Sequence, residues 1–150
     1  MNATDTIYAL ALASNQHPEQ HFRQAIAQLQ GLGRCQFSSI YKIPCRDGIG
    51  ADYWNCACLL CCDLSVEQLS SQLKQWENDS GRVRPSHQIS LDVDLIAWGT
   101  ALTAMQLNRK KLPLPLDVKI PMYQIWNDPA FQHPAHHYPN LSCLELATAM

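Results

Sequence analysis

The chain has 150 residues, is 47% hydrophobic and carries a formal charge of −2, totals that fit one domain (1–150) with a sizeable core. Its longest apolar run, around residues 8–13, is far too short to cross a bilayer, and the first five residues lack the basic flank of a secretory signal. No basic stripe interleaves with aromatics, which argues against nucleic acid as a partner, and a cytoplasmic location is the default expectation.

Residues 6–14 are a compact apolar run and read as a buried strand. Asn15 is placed to cap a following helix, with Pro18 and Glu19 in its first turn. Phe22, Ile26, Leu29 and Leu32 recur at helical spacing, and Gly31 and Gly33 mark the stop. Cys35, Phe37, Ser39, Tyr41 and Ile43 then alternate with mostly polar residues, as in a half-buried strand. Residues 44–52, with Gly48 and Gly50, read as a loop, and residues 53–64 as a third strand.

That third strand holds Cys56, Cys58, Cys61 and Cys62, four of the seven cysteines. An odd count without a signal peptide argues against a disulfide framework. Cys58 and Cys61 have C-x-x-C spacing, but residues three apart on a strand point to opposite faces. Burial in the core is therefore preferred over metal or redox chemistry.

Ser65 and Gln68 form a capping box that opens a second helix, with Val66, Leu69, Leu73 and Trp76 on its inner face and Gly81 at its end. Residues 88–98 read as a fourth strand. Beyond it prolines recur from Pro113 to Pro139, so we expect one short helix near 100–108, a second near 127–133, and little else regular. Strand, helix, strand, strand, helix, strand is the ferredoxin-like order: an α+β antiparallel sheet with two helices on one face and an irregular C-terminal extension.

The sharpest chemical signal is Leu91-Asp92-Val93-Asp94-Leu95. Leu91, Val93 and Leu95 share the face the helices would cover, while Asp92 and Asp94 share the other, with Cα atoms roughly 6.6–6.8 Å apart. Carboxylates at that spacing can converge on magnesium, which takes the rest of its shell from water and phosphate. An ordinary solvated strand face would give the same alternation. Gly81-Arg82-Val83-Arg84 precedes the acids, and arginine forks match phosphate oxygens, although basic residues also complement a helix C-terminus. Tyr53 and Asn55 fall on one strand face and offer a ring and an amide suited to a flat heterocycle, or simply strand packing. His133, His136 and His137 cluster late in the chain without a partner at zinc-ligand spacing.

Together these segments resemble the 6-hydroxymethyl-7,8-dihydropterin pyrophosphokinase family of folate biosynthesis, in a divergent form. The matching pieces are Ala11-Leu12-Ala13-Ser14-Asn15, Ser38-Ser39-Ile40-Tyr41-Lys42, Asp52-Tyr53-Trp54-Asn55-Cys56-Ala57, Glu77, Gly81-Arg82-Val83-Arg84, Leu91-Asp92-Val93-Asp94-Leu95-Ile96 and Gly99. The resemblance implies transfer of pyrophosphate from ATP to a reduced pterin, with Asp92, Asp94 and Arg82 as catalytic residues and two magnesium ions on Asp92 and Asp94. It implies a pterin site of Tyr53, Asn55, Tyr123, Ile43 and Pro44, and a nucleotide site of Arg84, Glu77, Lys74 and Lys110. Partners would be small molecules alone, with neither nucleic acid nor membrane, and the protein a monomer or weak dimer.

The chain also departs from the family. The loop between the arginine and aspartate motifs is shortened to Pro85-Ser86-His87-Gln88-Ile89-Ser90, without the family's tryptophan and arginine. Pro115-Leu116 stands in place of a histidine–tyrosine pair, Pro121 in place of an arginine, and Ile43-Pro44-Cys45 where T-P-P is usual. The pterin and metal positions thus survive better than the triphosphate clamp. Two further readings follow: a catalytically weakened pterin- or nucleotide-binding paralogue, and an enzyme of the same fold acting on another acceptor alcohol.

Overall fold

A computed structural model describes residues 5–146 apart from 46, 47, 49, 85, 87, 144 and 145. Strand β1 (Thr6–Ser14) starts the chain and leads into helix α1 (Pro18–Leu32). Strands β2 (Arg34–Phe37), β3 (Ile40–Ile43) and β4 (Tyr53–Cys62) follow, then helix α2 (Val66–Asp79) and strand β5 (Asp92–Gly99). The remainder contains β6 (Met105–Leu107), helix α3 (Leu116–Ile125) and β7 (Asn140–Leu141).

The strands form one antiparallel sheet in the order β6-β5-β1-β4-β3-β7, with β2 also paired to β4. Apolar residues alternate along β1 and β4, so each face buries its own cluster. Leu10, Leu12, Cys58 and Leu60 meet Phe22 and Leu29 of α1 and Leu69, Leu73 and Trp76 of α2. Ala9, Ala57, Ile96 and Ala97 on the opposite face meet Met122 of α3 together with Trp126 and Phe131. The sheet with α1 and α2 on one face is the expected ferredoxin-like α+β arrangement. No described helix is long and apolar enough to cross a membrane.

Several local expectations are corrected. Asn15 does not cap α1: the cap position is His17, in the left-handed region at φ 48°, with no side-chain cap bond. Asn15 instead exchanges bonds with Ile89, its Oδ1 accepting the Ile89 N–H at 2.6 Å and its own N–H meeting the Ile89 carbonyl at 2.9 Å. The single expected second strand is two strands, split at Ser38-Ser39, because Ser38 turns its Oγ inward to accept the Ala57 N–H at 2.8 Å. The fourth strand begins at Asp92, four residues later than expected, since Asn15 holds the preceding segment.

The expected helix near 100–108 is instead a 3-10 turn (Leu102–Ala104) followed by β6, which pairs with the end of β5. Gly99 permits this reversal: a Cβ there would collide with the Ala104 carbonyl. Near 127–133 only a 3-10 turn forms, Pro129–Phe131. Helix α3 is an addition to the elements that the sequence pattern predicts. It starts after Pro115 and runs through Pro121, which lacks the N–H that a helix interior needs. Burial of Ile120, Pro121 and Met122 offsets that loss.

Candidate functional site

The paired acids sit on the α3 face of β5, as alternation requires, with Val93 and Leu95 turned into the opposite core. Cross-strand register places Asp92 beside Ala13 of β1, Ala13 beside Asn55 of β4, and Asn55 beside Tyr41 of β3. Asp94, Ala11 and Ala57 form the next row. Asp92 and Asn55 therefore share one face with about 10 Å between their Cα atoms, separated only by alanine. The small side chain leaves the sheet surface between them low.

A third carboxylate completes the acid group. Glu77 is buried near the end of α2, and its Oε2 accepts the Val93 N–H at 2.8 Å on the outer edge of β5. Carboxylate oxygens of Glu77, Asp92 and Asp94 lie within 4.8 Å of one another, so this group could hold a metal ion. Hard oxygen donors of this number suit magnesium.

Cations surround the acids. Lys111 donates to Asp94 Oδ1 at 2.9 Å, and Arg84 to Glu77 Oε1 at 3.0 Å. Arg82 lies 3.6 Å from Asp92 Oδ1 and donates to the Leu91 carbonyl at 3.1 Å. Burial, then the hydrogen bond and charge of Glu77, push the Asp92 carboxyl above the usual range, against the pull of Arg82. Burial and the charge of Asp92 do the same to Asp94, opposed by Lys111. Burial works against the Lys111 ammonium, but the Asp94 hydrogen bond and the three nearby acids outweigh it and raise its pKa. The acids are thus held where their negative charge is unfavourable, the setting in which a divalent cation binds with most gain.

These residues line a cleft of about 700 Å³ that also receives Lys74, Lys110, Asn108 and Trp98. Of the nucleotide residues implied earlier, Glu77, Lys74, Lys110 and Arg84 are brought together here. Arg82 sits behind the acids, its side chain only 11% exposed. Lys111, adjacent to Lys110, is a further cation of the cleft that nothing in the sequence marks. Its position depends on Asn108, whose Oδ1 accepts the Lys110 N–H and whose Nδ2 donates to the Leu95 carbonyl at 2.8 Å. That clamp sets the phase of the turn and aims Lys111 at Asp94. His87 lies outside the described residues.

The implied pterin residues occupy the same sheet face further along. Asn55 is buried and its Nδ2 reaches the Tyr53 carbonyl at 3.4 Å. Tyr53 is half-buried and paired with Ile43, which is buried, while Pro44 is exposed. Tyr123 projects from α3 and meets His133 edge-on, with ring centroids 5.7 Å apart. Gln124 beside it, not anticipated, accepts from the Tyr41 hydroxyl and the Ser39 N–H, each at 2.9 Å. His133 and His136 pack among Tyr41, Tyr123 and Tyr138 as rings. Among the described residues the candidate metal group is the acid one.

The sequence model of 7,8-dihydro-6-hydroxymethylpterin-pyrophosphokinase (HPPK) matches residues 9–137. The chain belongs to this family. The match runs from β1 through α3 and takes in the acid cleft and the segment that carries Tyr123 and His133. Membership brings with it pyrophosphate transfer in folate biosynthesis as the family's activity. Among curated proteins none matches the chain.

Proposed function

We propose that the chain transfers the pyrophosphoryl group of ATP to the hydroxyl of 6-hydroxymethyl-7,8-dihydropterin. The observation that carries this reading is the row Asp92, Ala13, Asn55: an acid group and an amide share one sheet face, a small ligand's length apart, with alanine between. Glu77, Asp92 and Asp94 would hold magnesium, which when bound offsets charge on the ATP phosphates. Lys74 and Lys110 would contact phosphate oxygens, Lys111 and Arg84 would have to turn to them from Asp94 and Glu77, and Asn55 with Tyr53 and Tyr123 would orient the pterin ring. The pterin hydroxyl oxygen would attack the β-phosphorus and release its proton to solvent while the bond from that phosphorus to the α-phosphate oxygen breaks and AMP leaves with the bridging oxygen. Positioning and charge compensation supply most of the acceleration in such transfers.

The test is AMP release from Mg-ATP with the dihydropterin present. Turnover that falls at least about 100-fold in Asp92→Asn supports the reading; folded protein that binds both ligands yet releases no AMP overturns it. One observation favours the binding-only alternative. Arg82 and Arg84 are both engaged with the protein's own oxygens, so fewer cations are free to meet triphosphate. Calorimetry separates the two, since the binding-only protein takes up pterin while ATP gives little heat.

A further inference from the structure

The thiols beneath α1 are arranged in a way that packing alone does not demand. Cys56 of β4 is 1% exposed, and Cys143, just beyond β7, brings its Sγ to 3.6 Å from the Cys56 Sγ. Both thiols converge on Ser38, whose carbonyl accepts from Cys143 at 3.2 Å and from Cys56 at 3.6 Å. Because Ser38 Oγ also accepts the Ala57 N–H, the Cys56 surroundings are fixed by the split between β2 and β3. Cys143 is half-buried and lines a cavity of about 370 Å³ with Ser38, Ser39, Ser142 and Gln124. One thiol is thus reachable by a small solute, and the second is sealed directly behind it.

We propose that Cys143 and Cys56 are a reversible dithiol site, oxidised to a disulfide by a small peroxide. The Cys143 thiolate sulfur attacks one peroxide oxygen and the O–O bond breaks, leaving a sulfenic acid and a hydroxide that takes a proton from solvent. The Cys56 sulfur then attacks the Cys143 sulfur, its own proton leaves with the sulfenic oxygen as water, and the S–S bond forms. The two thiols lose two electrons and the peroxide becomes two waters. The hydrogen bond with Cys56 holds the Cys143 thiol below its ordinary pKa against burial, whereas burial keeps Cys56 protonated until it is needed. Closing from 3.6 Å to a disulfide's length of about 2.05 Å asks the sulfurs to approach by only ~1.5 Å. The bond would tie β4, at the residue after Asn55, to a segment 87 positions further on.

The proposal is independent of the catalytic reading and is tested without substrate. Reduced protein is treated with an equivalent of hydrogen peroxide, the remaining thiols are alkylated, and the digest is mapped by mass spectrometry. The expected result is loss of two of the seven thiols, a cross-linked Cys56–Cys143 peptide pair and reversal by dithiothreitol. A melting temperature raised by about 5–10 °C should accompany the bond. Cys143→Ser protein should lose no thiol pair. Sulfinic acid on Cys143 without a cross-link, a Cys35–Cys58 cross-link in its place, or pair loss persisting in Cys143→Ser would each overturn the proposal. Mapping of the wild-type protein stands even where that variant folds poorly.

Discussion

Asp92 loses part of its hydration when the chain folds, and Glu77 adds its own negative charge. A carboxyl whose folded pKa is raised favours the folded state most when protonated, so its contribution is full below the unfolded value near 3.9 and fades as pH climbs through the raised one. Metal-free protein should accordingly lose stability across mildly acidic pH, and Asp92→Asn should lose less, so that the gap between their urea midpoints widens as pH rises. Equal slopes for the two would show that the acid is not penalised by its surroundings. Much of this site was legible in the sequence, because strand alternation fixes which neighbours share a face whatever the rest of the chain does. Glu77 is legible only through the family resemblance: helical spacing puts it on the inner face with Leu73 and Trp76, where a carboxylate has no local reason to be. Lys111 was obscured by a different cause. Which of three consecutive basic residues reaches Asp94 depends on Asn108 binding the Leu95 carbonyl, a contact made only after β5 and the turn have met.

Among the elements, α2 is the best specified by local chemistry. Ser65 Oγ accepts the Gln68 N–H at 3.1 Å while Gln68 Oε1 accepts the Ser65 N–H at 2.9 Å, the reciprocal pair that the sequence anticipates. Ser65→Ala should cost about 1 kcal/mol and lower the melting temperature by about 2–4 °C. Magnesium affinity should be unchanged, because Glu77 lies three turns away and is anchored separately to Val93. A loss of metal binding in that variant would mean that the cap, and not the anchor, positions the acid. Helix α3 stands at the other extreme. Its ten residues, Leu116–Ile125, carry apolar side chains around most of their circumference and a proline in the middle, so neither periodicity nor capping announces a helix. The apolar surface of Ala9, Ala57, Ile96 and Ala97 selects it, and that surface exists only once the sheet has formed. The break between β2 and β3 is invisible in the sequence for a similar reason: alternation continues through Ser38-Ser39, and the bond from the Ala57 N–H marks the interruption.

For the molecule as a whole, a nucleotide that binds only the folded state must raise its stability by mass action. Mg-ATP at a hundred times its dissociation constant should add about 2.7 kcal/mol, or about 5–10 °C in melting temperature, and Asp92→Asn should abolish the shift. An undiminished shift in that variant would place the nucleotide elsewhere than the acid cleft. The same region of β5 has a second consequence, for colloidal behaviour. Among the described residues β6 pairs with Ala97, Trp98 and Gly99 of β5, so the first half of β5 has no strand beside it there, the kind of border to which a foreign strand can add. Two of its outward backbone groups are instead engaged by side chains, the Val93 N–H by Glu77 and the Leu95 carbonyl by Asn108. The glutamate that completes the acid group thereby also blunts the border against edge-to-edge aggregation, and a mutation that strips it should harm solubility as well as the cleft.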